Sequence, residues 1–183
     1  GISVVNALAA ELEVEVVREG QIYHQAFSRG EPTTKLKKVG QASNRRGTTI
    51  AFTPDPDIFG KRFAFKPDRL YKFARSKAYL YRGVSIKWKC DPSLIKENSA
   101  TPPKDTIHFP GGLKDFLEQQ LAGRGSITDV FSGEADLADN QGRIEWAIAW
   151  PDDEESSVST YCNTVPTPDG GSHETGMRNA LTK

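Results

Sequence analysis

The stretch "LEVEVVREGQIYHQAF" constrains this chain more than any other. Leu12, Val14 and Val16 alternate with Glu11, Glu13 and Glu15, an "EG" pair follows, and "QIYHQAF" resumes the strand-like texture. Successive side chains of a strand point to opposite faces, so the pattern predicts a ribbon turned by two residues into a hairpin, with one face buried. Each fully buried Val or Leu contributes roughly 1.5 to 3 kcal/mol, so a covering layer is expected. "GISVVNALAAEL" supplies it: Val4, Val5, Leu8 and Leu12 fall at helical spacing with small residues between them, which predicts a helix packed closely on the sheet, with Gly1 at its N-terminal edge.

The same reading extends along the chain. Strands are predicted at 35–40 and at 48–53, the latter ended by Pro54 and Pro56. "KPDRLYKFARSKAYL" places Leu70, Phe73, Ala74 and Ala78 on one helical face, with Pro67 and Asp68 suited to its first turn. "GVSIKWKC" predicts a strand with Val84, Ile86 and Trp88 on one side. Then come a short strand at 106–109, a helix in "GGLKDFLEQQL", strands near 127–131, 144–150 and 158–164, and a closing helix. Mixed in this order, the elements indicate an α+β chain.

Charge divides the molecule. Residues 1–90 carry 17 Lys and Arg against 8 Asp and Glu, and residues 91–183 carry 7 against 16, so a neutral whole is made of halves at +9 and −9. The polar, proline-rich "DPSLIKENSATPPKD" coincides with the change of sign and predicts a domain boundary near residue 100. No apolar run approaches the roughly 20 residues needed to cross a bilayer, and the first residues lack the marks of a signal peptide, so the expected location is the cytoplasm with no membrane partner. A start at Gly1 without methionine, and an end at Lys183 without a capping residue, read as a piece of something longer. Cys90 and Cys162 have no metal or redox spacing and read as reduced thiols.

Single motifs carry little chemistry. "DGGSHE" precedes a helix but matches neither phosphate-binding glycine pattern, so it reads as a tight connection with positive φ at Gly170 or Gly171 and Ser172 as N-cap. His24, His108 and His173 share no ligand spacing. Arg69, Lys72, Arg75 and Lys77 could meet phosphate or form a solvated helix face. In "RGTTIAF", Thr48 and Ile50 point the same way and could either face a ligand or sit in an ordinary strand. Gly1, ahead of an apolar helix, has the same two readings: support for an anion, or a plain buried helix.

Five blocks in register carry more: "GISVVNAL", "GTTIAFTPDPDIF", "ARSKAYLYRGV", "FPGGLKDFL" and "YCNTVPTPDGGSHETGMRNAL" resemble the B-type component of bacterial type IIA topoisomerases over nearly the whole chain. "YCNTVPTPDGG" and "ARSKAYL" look more like the ParE-type component of topoisomerase IV than like gyrase B. The resemblance implies that residues 1–100 are the C-terminal part of a GHKL (Bergerat) ATPase sandwich. Residues 101–183 would then begin a transducer domain of the ribosomal-protein-like β-α-β type. It implies ATP-binding roles for Gly1, the last glycine of the lid motif, and for Ile2 and Ser3 after it. Thr48 would sit on the adenine side of the pocket, Ile50 would be its apolar wall, and Arg18 would lie at its mouth.

For the parent protein the resemblance implies ATP-driven strand passage with Mg²⁺, relaxation and decatenation of double-stranded DNA, an A-type partner in a heterotetramer, and self-association on ATP binding. It also implies that the catalytic glutamate, the Mg²⁺-binding asparagine and the adenine-reading aspartate lie upstream of Gly1, and the transducer lysine beyond Lys183. The chain alone is therefore expected to lack significant ATPase activity, since hydrolysis needs a positioned base and a cation. The glycines of "DGGSHE" would serve a structural turn. Other readings are gyrase B, another GHKL ATPase, or a non-enzymatic module binding nucleic acid or protein.

Overall fold

The computed structural model describes residues 1–138, 141–153 and 156–183. They form two units that divide between Phe65 and Lys66, so the sequence change near residue 100 lies inside the second.

In the first unit, helix α1 (Ile2–Ala7) leads into strand β1 (Ala9–Arg18), which turns through Glu19 and Gly20 into β2 (Gln21–Ser28). Both turn residues have positive φ, 52° and 73°, the conformation in which a two-residue turn matches the twist of its strands. Arg29 and Gly30 repeat the device, at 52° and 90°, ahead of the short β3 (Glu31–Pro32). Strand β4 (Lys37–Gln41) also pairs with β2, and β5 (Gly47–Pro54) pairs antiparallel with β1, giving the order β3-β2-β1-β5.

The helix is shorter than its apolar spacing suggests, because the chain leaves it at Leu8 and Leu12 belongs to β1, where it is 2% exposed. Ile2 and Val4 remain half exposed, and close packing is made instead where Ala7 lies over Gly30. A short helix α2 (Pro56–Phe59), not anticipated from the sequence, follows β5; Asp55 caps it by accepting from the Asp57 amide at 2.9 Å.

The second unit is built on α3 (Pro67–Leu80), β6 (Ser85–Lys89), β7 (Lys104–His108) and α4 (Leu113–Gln120). Its core is Ala78, Tyr79, Ile107 and Phe109, with Tyr71, Ala74, Ile86, Trp88 and Phe116 packed against them. The buried face of α3 is thus rotated from the expected one, leaving Leu70 and Phe73 exposed at 41% and 59%. Tyr79 decides this: its ring stacks on Phe116 at 3.9 Å, and its hydroxyl, 2.6 Å from that of Tyr161, is satisfied while buried. The proline-rich segment between β6 and β7 is tied down, since Ser99 and Thr101 donate to Asp68 in the first turn of α3. Those hydroxyls, Ser99 first, hold the Asp68 carboxyl below its ordinary range.

Strand β8 (Phe131–Asp136) pairs with β9 (Arg143–Ile148). The strand expected near 127–131 begins only at Phe131, and Ile127 is 74% exposed. Gly133 fixes the register by lying opposite Trp146, whose ring occupies the space a side chain would need. The segment expected as one strand at 158–164 is a hairpin, β10 (Tyr161–Cys162) and β11 (Val165–Pro166), turning on Asn163 and Thr164 at φ 48° and 66°. Gly170 has the anticipated positive φ of 74°, but Gly171, not Ser172, occupies the N-cap of α5 (Ser172–Leu181).

Candidate nucleotide site

The first unit presents one continuous face. Directly opposed residues of an antiparallel pair lie on the same side, and the register sets Thr48 against Val16, Ile50 against Val14 and Phe52 against Leu12. Tyr23, Gln25 and Phe27 of β2 extend the same rows. Thr48, Ile50 and Arg18 therefore share a face, with Thr48 and Arg18 at the hairpin end. Ile50 and Phe52 remain 41% and 43% exposed, an apolar wall beside a hydroxyl. Arg18 reaches only its exposed neighbour Glu19, at 3.2 Å, among the described residues.

Gly1, Ile2 and Ser3 are positioned from the other end of β1. Gly1 is the N-cap of α1, and its carbonyl accepts from Val4 and Val5. The Ile2 and Ser3 amides have no acceptor within the helix, and no acidic side chain lies in the first turn. At the C-terminal end of α1, the Asn6 side chain donates to the Gly30 carbonyl at 3.4 Å, and the Asp55 amide to the Leu8 carbonyl at 3.0 Å. From Ala9 to Val16 the strand rises about 23 Å, at roughly 3.3 Å per residue. Six helical residues span about 9 Å. Among the described residues, no hydrogen bond joins Gly1, Ile2 or Ser3 to Thr48, Ile50 or Arg18.

Asp55 is the positioning residue that sequence reading missed. It is 2% exposed; its carboxylate accepts from Arg29 Nε at 2.6 Å and caps α2, and its backbone amide donates to the Leu8 carbonyl, so one residue ties the β2–β3 turn, the end of β5 and the end of α1 together. Asp55, ahead of Asp57, raises the Arg29 guanidinium above its ordinary value. The signal was present in "TPDPDIF", where Asp precedes Pro at a helix start.

The six candidates offer two hydroxyls, a guanidinium, helix amides and an apolar wall, which suits a nucleotide's base and phosphates. None of the six carries a carboxylate or a side-chain amide oxygen, the side-chain donors that usually anchor magnesium. Elsewhere, two of the α3 cations that could meet phosphate or form a solvated face are engaged within the second unit: Arg75 donates to Gln119 and lies over Phe109 and Phe116, and Lys77 donates to the Thr164 carbonyl. Two clefts of the second unit, about 340 and 430 Å³, contain none of the six candidates. His24, His108 and His173 each take separate partners. Both cysteines are free thiols. No helix among the described residues is long and apolar enough to cross a membrane.

A family model described as DNA gyrase B matches residues 112–183. The B component of DNA topoisomerase 4 from Bartonella bacilliformis is 50% identical over 182 residues, covering 99% of this chain and 26% of that protein. Its counterpart from Caulobacter vibrioides is 48% identical, covering 100% and 27%. The DNA gyrase B component of Halalkalibacterium halodurans is 35% identical, covering 100% and 27%. Among solved structures, the 43K ATPase domain of Thermus thermophilus gyrase B, in complex with an aminocoumarin, superposes with a TM-score of 0.81 at 32% identity, over 97% of this chain and 46% of that one. The topoisomerase IV ATP-binding domain of Francisella tularensis gives 0.72 at 30% identity, over 100% and 46%.

The chain belongs to the B-type family of bacterial type IIA topoisomerase components and has the mixed α+β fold of their GHKL-type ATPase domains. It spans about a quarter of the length of the curated relatives it matches. Within the family its similarity is greater to the topoisomerase 4 relatives, at 44–50% identity, than to the gyrase B relative at 35%.

Proposed function

We propose that this chain is a nucleotide-binding and relay segment of a ParE-type topoisomerase component, in which residues 1–100 complete an ATPase domain and residues 101–183 begin its transducer. Gly1, Ile2 and Ser3 would face the phosphates from the start of α1, Thr48 would bond the base, Ile50 would pack on it, and Arg18 would close the mouth. In the parent protein, ATP with Mg²⁺ would drive self-association and, with an A-type partner, passage of one DNA duplex through another. Nucleotide moves such a gate only through its differential affinity for the open and closed states. The chain alone would not turn ATP over.

The observation that carries this reading is the superposition on an ATPase domain at a TM-score of 0.81 over nearly the whole chain. Its test is equilibrium binding of a non-hydrolysable ATP analogue to the chain and to Thr48→Ala. Thr48 is exposed, so the variant keeps the fold, and losing one hydrogen bond worth roughly 0.5–1.5 kcal/mol weakens binding about 2- to 13-fold. No binding by the unaltered chain, or equal affinity in the variant, overturns the reading.

A further inference from the structure

Hairpin β6–β7 has two faces of opposite character. Ile86, Trp88 and Ile107 pack inward. The other face carries Ser85, Lys87, Lys89, Lys104, Thr106 and His108, all exposed. The register sets Lys89 directly opposite Lys104, Lys87 opposite Thr106 and Ser85 opposite His108. Opposed side chains start about 5 Å apart, and alternate residues on one strand about 7 Å apart, so three ammonium groups rise from one small patch.

Like charges directly opposite on a ribbon destabilise it. Among the described residues, none of the three lysines is bridged to a carboxylate. Asp105 is the one acid in the two strands. It lies on the inward side and accepts from the Tyr71 hydroxyl at 2.6 Å. Asp91, just beyond β6, is taken by the Ser93 amide at 2.9 Å. The fold thus carries an uncompensated positive face that an external anion would complete.

We propose that this face docks the phosphate backbone of duplex DNA. The proposal rests on the topoisomerase reading and adds to it the surface that meets the nucleic acid. The chemistry of the face selects the partner. Single strands bind on exposed aromatic platforms, whereas Trp88 is turned inward and donates to the Pro102 carbonyl. Lipid surfaces take an apolar face beside the cations, and the six outward residues include none. Cations and hydroxyls suit phosphate oxygens, and phosphate contacts position a protein without reading sequence. His108 donates through Nδ1 to the Val84 carbonyl at 3.0 Å, so the lysines and the hydroxyls of the face carry the phosphate contacts.

The test measures binding of the full chain to a mixed-sequence duplex across roughly 50 to 200 mM salt. It compares the unaltered chain with the triple variant Lys87→Gln, Lys89→Gln, Lys104→Gln and with a control of equal charge change, Lys35→Gln, Lys37→Gln, Lys38→Gln. Each phosphate contact contributes about 0.9 to the slope of log K against log salt, so the first variant is expected to lose about 2 to 3 from the slope. The control is expected to keep the slope. Circular dichroism melting of the first variant is expected to match or exceed that of the unaltered chain, because a repulsive pair is removed. Equal slopes in the two variants, no duplex binding by the unaltered chain, or tighter binding to anionic vesicles or single strands overturns the proposal. ATP-analogue affinity measured on the same samples judges the nucleotide reading separately, since a chain that binds nucleotide with unchanged slopes loses only the docking surface.

Discussion

The Tyr71 hydroxyl donates to Asp105 across the base of the second unit, and burial, with that bond second, pushes its pKa up to about 12. Unfolded, a tyrosine ionises near 10, so the folded chain holds a proton that the unfolded chain releases. This contribution is fully present below about pH 10 and is lost as pH rises through about 12. Tyr79, raised mainly by burial and then by its bond to Tyr161, acts in the same direction. Stability is therefore expected to fall between pH 10 and 12, less steeply in Tyr71→Phe, as measured by denaturant midpoints. Phenolate absorbance of Tyr71 appearing near pH 10 in the folded chain would contradict this. At the scale of single residues the sequence was least informative: Tyr71, Tyr79 and Asp55 act through partners 26 to 82 positions away, and such partners leave no local pattern.

Elements were more legible, because their causes are local. The Glu19–Gly20 hairpin follows from alternation and a turn pair that accepts positive φ, and β5 and β6 fall within a residue or so of their patterns. Where local spacing competed with packing, packing won: α3 turned to bury Tyr79, and α1 stopped at Ala7 so that β1 could begin at Ala9. The turn before α4 shows how tightly one position can be held. Gly112 has φ 66° and ψ −128°, and an added Cβ would come within 2.9 Å of a Glu145 carboxylate oxygen and 3.4 Å of the Tyr79 carbonyl. That carboxylate belongs to a cluster in which Arg82 bridges Glu145 at 2.8 Å and Glu134 at 3.0 Å, and Arg143 also pairs with Glu134. Gly112→Ala is expected to cost roughly 1–3 kcal/mol from backbone strain alone and to loosen β8–β9. A denaturant midpoint equal to that of the unaltered chain, with unchanged amide exchange at Arg143–Ile148, would contradict it.

At the scale of the whole molecule, the family and the mixed architecture were readable from five sequence blocks in register, and the similarity to known relatives and solved domains bears them out. The division into compact units was not, because charge and proline content mark residue 100 while packing binds α3 and β6 to the segment that follows them. Of the candidate site, what the sequence makes legible is the shared face of Thr48, Ile50 and Arg18, because strand alternation is a local rule. The relation of α1 to that face depends on the Asp55 amide and on Gly30, whose α1 partners Leu8 and Ala7 lie too far along the chain to be read from spacing. On the proposed function, the start of α1 and the Thr48 end of β5 border one hollow filled by one nucleotide. This arrangement is tested most directly by amide chemical shifts of the chain titrated with a non-hydrolysable ATP analogue. Ile2, Ser3, Thr48 and Ile50 are expected to shift together with a single dissociation constant. Shifts confined to one of the two groups, or two separate constants, would contradict it.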